Sequence, residues 1–159
     1  MTSPLEAGSP LKLRAAGFAD VSRLNQLLEK ASLPSGHIEE FIENFVVIEN
    51  EGALAGGGGF ERYDFTAVLR SVVVEEALRG RGLGRWIAEA LMEQARGAAV
   101  TDFCLFTIDS HEFWRRLGFE DVPMSAWPKP AQQCWQYRYV SANWQRFEAW
   151  GIHSMWRRA

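Results

Sequence analysis

Arg79-Gly80-Arg81-Gly82-Leu83-Gly84-Arg85 packs three arginines and three glycines into seven residues, the densest chemical signal in the chain. Behind it Ile87, Ala88, Leu91 and Ala95 recur at helical spacing, so the glycines open a helix. The first turn of a helix leaves backbone N–H groups without intrahelical partners, and glycines let an anion approach them closely. A phosphate is the expected guest. A turn that needed glycines only for positive φ would have no use for Arg79, Arg81 and Arg85, which add charge and forked donors around the same turn. Nucleotide hydrolysis is excluded by Arg85-Trp86, which stand where a P-loop needs Lys followed by Ser or Thr. In a dinucleotide fingerprint the third glycine would come later, and only Asp102, at a plausible distance for a ribose contact, keeps that alternative open.

The loop must be held by what precedes it. Leu69-Arg70-Ser71-Val72-Val73-Val74 ends in three consecutive β-branched residues, which favour a buried strand finishing near Glu75. Strand, glycine loop and helix therefore follow in order, and a second buried strand, Phe103-Cys104-Leu105-Phe106, should return parallel to the first. Further on, Ser110 stands where it would cap a short helix over His111–Leu117 that Gly118 ends.

These segments resemble the GCN5-related N-acetyltransferases. That family's coenzyme A motif runs Arg or Gln, two residues, Gly, one residue, then Gly or Ala, and Arg79, Gly82 and Gly84 satisfy it. Phe113-Trp114-Arg115-Arg116-Leu117-Gly118-Phe119 resembles the second signature, an aromatic pair on a short helix ending in Leu-Gly-Phe. Within the family, Leu69-Arg70-Ser71, Trp127-Pro128 and Ser154-Met155-Trp156-Arg157 look most like the bacterial amino-acid and arsenic-resistance N-acetyltransferases. The resemblance implies an α/β (α+β) fold: a mixed, mostly antiparallel twisted central sheet with flanking helices and a splayed parallel pair at its centre. It also implies acetyl-CoA as co-substrate, with pantetheine lying between the splayed strands.

Taken from its start, the 159-residue chain suits one domain over 11–159 after a loose terminus over 1–10 that lacks a signal peptide's apolar run. Leu11, Leu13 and Ala15 alternate as in a half-buried strand. Asp20 is placed to cap a helix carrying Val21, Leu24, Leu27, Leu28 and Ala31 as far as Leu33. Ile38, Phe41, Ile42 and Phe45 predict a second short helix, and a hairpin turning over Asn50–Gly52 follows. Gly56–Gly59 are poor strand formers and mean a bulge or a close approach by a side chain or ligand. Another turn at Asp64 leads into the central strand.

A net charge of −3 without long like-charge runs gives no nucleic-acid footprint or membrane-surface helix, and no apolar stretch is long enough to cross a bilayer. Two cysteines without metal or redox spacing, Cys104 in an apolar run, point to a reducing cytoplasm. His37, His111 and His153 are scattered without a ligand pattern, so no metal is expected. The aromatic crowd from Trp127 to Trp156 reads as core cover, a homodimer face or a substrate pocket.

Acetyl transfer to an amine needs a neutral amine, donors for the developing oxyanion and a proton for the leaving thiolate. The resemblance implies a backbone N–H among Val72, Val73 and Val74 at the thioester carbonyl, Val73 the best placed, and the pyrophosphate held across Arg79, Gly80, Arg81, Gly82, Leu83, Gly84 and Arg85. Trp114 replaces the tyrosine that commonly protonates the thiolate, and Glu76 the frequent proline after the strand; an indole N–H donates a hydrogen bond but is no usable acid. Trp114 is then expected to line the pantetheine slot. The general base stays open among Glu39, Glu40, Glu43, Glu61, Glu75 and water. Arg70 interrupts an apolar strand, and alternation puts it on the face of Val72 and Val74; with Ser71 it would hold an amino-acid carboxylate or, equally, pair with Glu61 or Asp64. The expected activity is direct acetylation of a small-molecule primary amine, and the competing reading is a non-catalytic acyl-CoA-binding or sensor module.

Overall fold

A computed structural model describes residues 8–159; most of the expected loose terminus, residues 1–7, lies outside the described residues. The elements are β1 (Leu11–Ala15), α1 (Val21–Lys30), β2 (Phe45–Asn50), β3 (Ala53–Tyr63), β4 (Thr66–Val74), α2 (Leu83–Gly97), β5 (Asp102–Thr107), α3 (His111–Arg116), β6 (Glu120–Asp121), α4 (Trp135–Ala142), α5 (Trp144–Ala149) and β7 (His153–Arg158). Among the described residues the strands form one seven-stranded sheet in the order β1-β2-β3-β4-β5-β7-β6. β1–β2, β2–β3, β5–β7 and β6–β7 pair antiparallel, and β4 and β5 form the expected parallel pair, with Thr66, Ala67 and Val68 opposite Asp102, Phe103 and Cys104. The chain folds into two compact units, the residues through Phe60 with Leu69–Gln94, and Glu61–Val68 with Ala95–Ala159.

In the first unit the β2–β3 hairpin closes on Glu51 (φ 51°) and Gly52 (φ 84°), two left-handed residues whose twist suits a two-residue connection. The four glycines of β3 answer the question their sequence posed. Register slips between Ile48 and Glu49, opposite Gly56, so a bulge is present. Close approach is present as well, since a Cβ on Gly57 would lie 2.6 Å from Leu24 Cδ2, and one on Gly59 2.3 Å from the Phe45 ring. On the opposite face, a Cβ on Gly58 would meet Val72 Cγ2 at 2.9 Å and Ile87 Cγ2 at 3.1 Å. Leu24, Leu28, Ile38, Ile42, Phe45, Val47, Leu54 and Val73 form the core of this unit.

Two expected helices differ. α1 stops at Lys30 rather than Leu33, and the second is a broken 3-10 segment over Glu39–Asn44 with non-helical Phe41 (φ −123°). Ile38, just before the segment, and Ile42, past the non-helical Phe41, still bury in the core of this unit. Asp20 stands before α1 without capping it through its side chain. Its buried carboxylate instead accepts both arms of the Arg14 guanidinium at 2.8 Å, the Gly17 N–H at 2.8 Å and Arg23 Nη2 at 3.2 Å.

The core of the second unit holds Val68, Cys104, Trp127, Ala131 and Cys134. Trp127 stacks on Phe106 at 4.5 Å and donates its indole N–H to Ser154 Oγ at 2.9 Å, and the partly buried Tyr137 and Trp156 pack against the same cluster. Toward the surface, Trp144 and Trp150 are 40% and 56% exposed, and the Arg146 guanidinium lies over Tyr139, Phe147 and Trp150 at 5.9, 5.7 and 5.5 Å. Cys134 begins α4, its sulfur accepting the Tyr137 N–H at 3.3 Å. No helix among the described residues is long and apolar enough to cross a membrane.

The Arg14 fork, outweighing burial, holds the Asp20 carboxyl down to about 2 from its ordinary 3.8. Because the folded value is depressed, the stabilisation is complete above the unfolded value and is lost as pH falls from about 4 through about 2; it amounts to about 2 kcal/mol. Asp20→Asn should therefore destabilise the chain by about that much in neutral denaturant titrations, with the gap to wild type closing near pH 2. Burial pushes the Cys134 thiol up to about 11 and that of Cys104 further. Both should stay unreactive toward an aromatic disulfide reagent at mildly alkaline pH and react together once the chain is unfolded.

Candidate functional site

β4 carries the first part of the site. Ser71 has φ 62°, a left-handed backbone inside a strand, and burial changes there from a continuous run over Thr66–Arg70 to alternation over Val72–Val74. Such a residue costs of order 1 kcal/mol or more and persists only where its surroundings impose it. It also breaks the alternation expected to put Arg70 on the face of Val72 and Val74. Val72 lies toward Ile87 of α2, while Val73 joins the core beside α1. Arg70, 4% exposed, donates from Nη2 to the Gly36 carbonyl at 2.7 Å and from Nε to Ser71 Oγ at 3.0 Å. Part of its fork thus fastens β4 to the connection after α1.

Past β4 the backbone takes a single 3-10 turn over Glu76–Leu78 and enters the arginine–glycine loop. Gly80 and Gly82 have φ 81° and 82°, the region that favours glycine. Leu83 turns inward, 1% exposed, and with Ile87, Ala88, Leu91 and Ala95 it buries one stripe of α2. The first bond of the helix is donated by Trp86 N–H to the Gly82 carbonyl at 3.1 Å, so the N–H groups before it are left for an outside acceptor. The loop is exposed from Arg79 to Gly82. Arg79 Nε donates to the Val74 carbonyl at 3.0 Å, tying the loop to the strand end, and Arg85 pairs with Glu89 one turn along at 2.8 Å. Among the described residues Arg81 makes no ion pair. Glycine loop, helix N-terminus and arginines thus converge as one basic cradle with the chemistry of an anion site.

The second signature forms α3 and its stop. Ser110 precedes the helix, but its side chain makes no cap; its N–H instead donates to Thr107 Oγ1 at 3.1 Å. The helix ends at Arg116, where Gly118 (φ 89°) donates to the Arg115 carbonyl at 2.9 Å and Phe119 to that of Trp114 at 3.1 Å. This double bond pattern with a left-handed glycine is a Schellman motif, and its usual apolar contact is Trp114 edge-on to Phe119 at 5.3 Å. Trp114 is buried, with Phe113 on its other side at 4.9 Å. Four of the five carboxylates weighed as general base, Glu39, Glu40, Glu43 and Glu75, are exposed; Glu61 is buried and accepts the Tyr63 hydroxyl at 2.5 Å.

Two features escaped the sequence. Asn25 Oδ1 on α1 is a buried side-chain oxygen without a hydrogen-bond partner among the described residues, and a polar residue on an otherwise amphipathic helix carries no signal of that. His111 and His153, far apart in sequence, meet at Asp121: His111 Nε2 lies 2.8 Å from Oδ2 and His153 Nδ1 3.0 Å from Oδ1, with the rings stacked at 3.7 Å. Partial burial raises the Asp121 carboxyl, and hydrogen bonds from the two imidazoles outweigh it, so the group sits below the usual carboxylate range. The pairing of β6 and β7 brings these residues together, which no local spacing records.

Known proteins resemble this chain in sequence and in fold. The acetyltransferase (GNAT) family model matches residues 18–119, more than half of the chain. The chain is 31% identical over 132 residues to serotonin N-acetyltransferase 2, chloroplastic, of Oryza sativa subsp. japonica, covering 70% of this chain and 66% of that protein. An uncharacterized N-acetyltransferase of Chlorobaculum tepidum is 26% identical over 134 residues, covering 78% and 83%. Among solved structures, N-acetylglutamate synthase from Neisseria gonorrhoeae, complexed with coenzyme A and L-arginine, superposes with a TM-score of 0.75 at 17% identity over 94% of this chain and 33% of that one. A Mycobacterium tuberculosis protein in complex with coenzyme A gives 0.74 at 21% identity over 93% and 99%. The chain therefore spans about a third of the Neisseria synthase and just under two thirds of the rice enzyme. Through the matched segment, which runs from α1 to the end of the Leu-Gly-Phe stop, the chain belongs to the acetyltransferase (GNAT) family.

Proposed function

We propose that this chain transfers the acetyl group of acetyl-CoA directly to the primary amine of a small molecule, an amino acid or close analogue. The observation that carries the reading is the exposed basic cradle at the start of α2, joined to β4 by the Arg79–Val74 bond. The coenzyme's pyrophosphate would rest on the N–H groups of Gly82, Leu83 and Gly84, with Arg79, Arg81 and Arg85 around it. A Val73 N–H would polarise the thioester carbonyl, Val72 and Val74 would flank the pantetheine arm, and Trp114 would give that arm an apolar wall. The acceptor's carboxylate would bind at Arg70 beside Ser71, which would fix its amine relative to the thioester and so remove orientational entropy from the reaction.

An amino-acid acceptor is supported by the likeness to the Neisseria synthase, and an arylalkylamine acceptor by that to the rice protein. The forked donors of Arg70 beside Ser71 favour the first, because they match a carboxylate, which a simple amine lacks. A non-catalytic acyl-CoA-binding module is the second reading, favoured by Trp114 in the place of an acid. Thiol release measured across amino acids and simple amines distinguishes the two: acceptor-dependent release supports transfer, and acetyl-CoA binding without release supports the module.

Gly82→Asp should abolish acetyl-CoA binding in calorimetry, because a carboxylate and a Cβ would occupy the anion position. Gly82 is left-handed, so Arg81→Glu, at an exposed residue, is the companion variant; a loss of at least about tenfold in affinity is expected from reversing that charge. Unchanged affinity in both folded variants would remove the cradle from the site. Arg70→Lys should raise KM for an amino-acid acceptor about tenfold or more, about 1.4 kcal/mol per tenfold, while leaving acetyl-CoA affinity intact. A lowered melting temperature with unchanged KM would make Arg70 only the fastener to Gly36.

A further inference from the structure

Three donors of metal-binding type meet at the β6 edge of the sheet, and none of them belongs to the glycine loop or to β4. His111 is the first residue of α3, Asp121 the last of β6 and His153 the first of β7. One ligand atom from each lies within 4.8 Å of the other two. A tetrahedral ion with bonds of about 2.0–2.1 Å holds its ligands about 3.4 Å apart, so the widest pair of donors needs to draw in by up to about 1.4 Å while the hydrogen-bonded pairs open slightly. All three side chains are partly open, at 26%, 52% and 37% exposure, and can make that movement without disturbing the core. In the arrangement described, Asp121 spans the two imidazoles with one oxygen to each. Coordination replaces the two hydrogen bonds with two lone pairs: each ring moves its N–H to its other nitrogen and turns out of the parallel stack, and one Asp121 oxygen becomes the third ligand.

The geometry points to a divalent-cation site made by His111, Asp121 and His153, of the two-histidine, one-carboxylate kind that suits Zn²⁺ and neighbouring late first-row ions. Nitrogen donors exclude a preference for Mg²⁺ or Ca²⁺, which take oxygen ligands. Three protein ligands leave a fourth position, and it would open on a cavity of about 500 Å³ lined by Asp121, Met124, Trp144, Ile152 and His153, where water or a small donor molecule has room to complete the shell. A bound ion would also clip the start of α3 to the two-residue strand β6 and to β7. β6 lies at the edge of the sheet and pairs with β7 through Glu120 and Asp121.

The test uses the untagged full chain, stripped with chelator and desalted. Titration with ZnCl₂ should show one saturable site per chain, and Zn²⁺ at about one hundred times its Kd should raise the melting temperature by several degrees, whereas MgCl₂ should not. Co²⁺ should give the visible absorption of a tetrahedral or five-coordinate ion. His111→Asn and His153→Asn keep a side-chain donor for Asp121 and remove the imidazole; each should weaken Zn²⁺ binding by at least about tenfold, and His37→Asn should leave it unchanged. Absence of Zn²⁺ binding to the folded wild-type chain would overturn the site, as would a folded His111→Asn/His153→Asn double variant that binds Zn²⁺ like wild type. These readouts do not involve acetyl-CoA, so the cation site and the proposed acetyl transfer stand or fall separately.

Discussion

The absence of side chains on Gly56–Gly59 is the constraint on which the first unit depends. Leu24 and Phe45 rest against the backbone of β3 on one face, and Val72 and Ile87 on the other, at distances where even a methyl group would collide. A strand interior without side chains loses packing and gains conformational entropy in the unfolded chain, a cost of roughly 0.5–1 kcal/mol per glycine relative to alanine. What it makes room for is the close seating of α1 and α2 on opposite faces of the same strand. Ile87 lies within the second turn of α2, so its contact with Gly58 sets how near the helix start comes to the sheet.

That placement separates rigidity from exposure. Leu83 is buried one residue after Gly82, so the last fully exposed residue of the loop is next to an anchor in the core. Two left-handed glycines and the Arg79–Val74 bond turn the chain between strand and helix without adding apolar contacts. The helix N-terminus therefore faces outward while its axis is held by a buried stripe, the combination an anion site on a firm scaffold requires. α3 is fixed in a comparable way by the Phe119–Trp114 contact of its stop.

Features with a local physical cause were legible in the sequence. The β1 strand, although Ala15 is exposed in it, the α2 stripe, the hairpin turn at Gly52 and the glycine stop after α3 each follow from spacing or from one residue type with a distinctive backbone preference. Ser71 was not legible, because serine carries no mark of a left-handed backbone, and Cys134 was not, because a thiol is a weak acceptor seldom read as a cap. The 3-10 segment around Phe41 was read as a helix since three- and four-residue spacings nearly coincide over one turn. The meeting of His111, Asp121 and His153 depends on strand pairing between distant segments, information that hydrophobic period does not contain.

Ser71 makes β4 behave as two strands in opposite phase joined without a gap. Before it, Arg70 reaches the connection that follows α1; after it, Val72 faces α2 and Val73 faces α1. If residue 71 is not counted, Arg70, Val72 and Val73 fall into plain alternation on the faces they occupy, so Ser71 is a supernumerary residue absorbed in the strand. Glycine would relieve the backbone at that position. One extra residue here resets the reading frame for the two faces of the sheet.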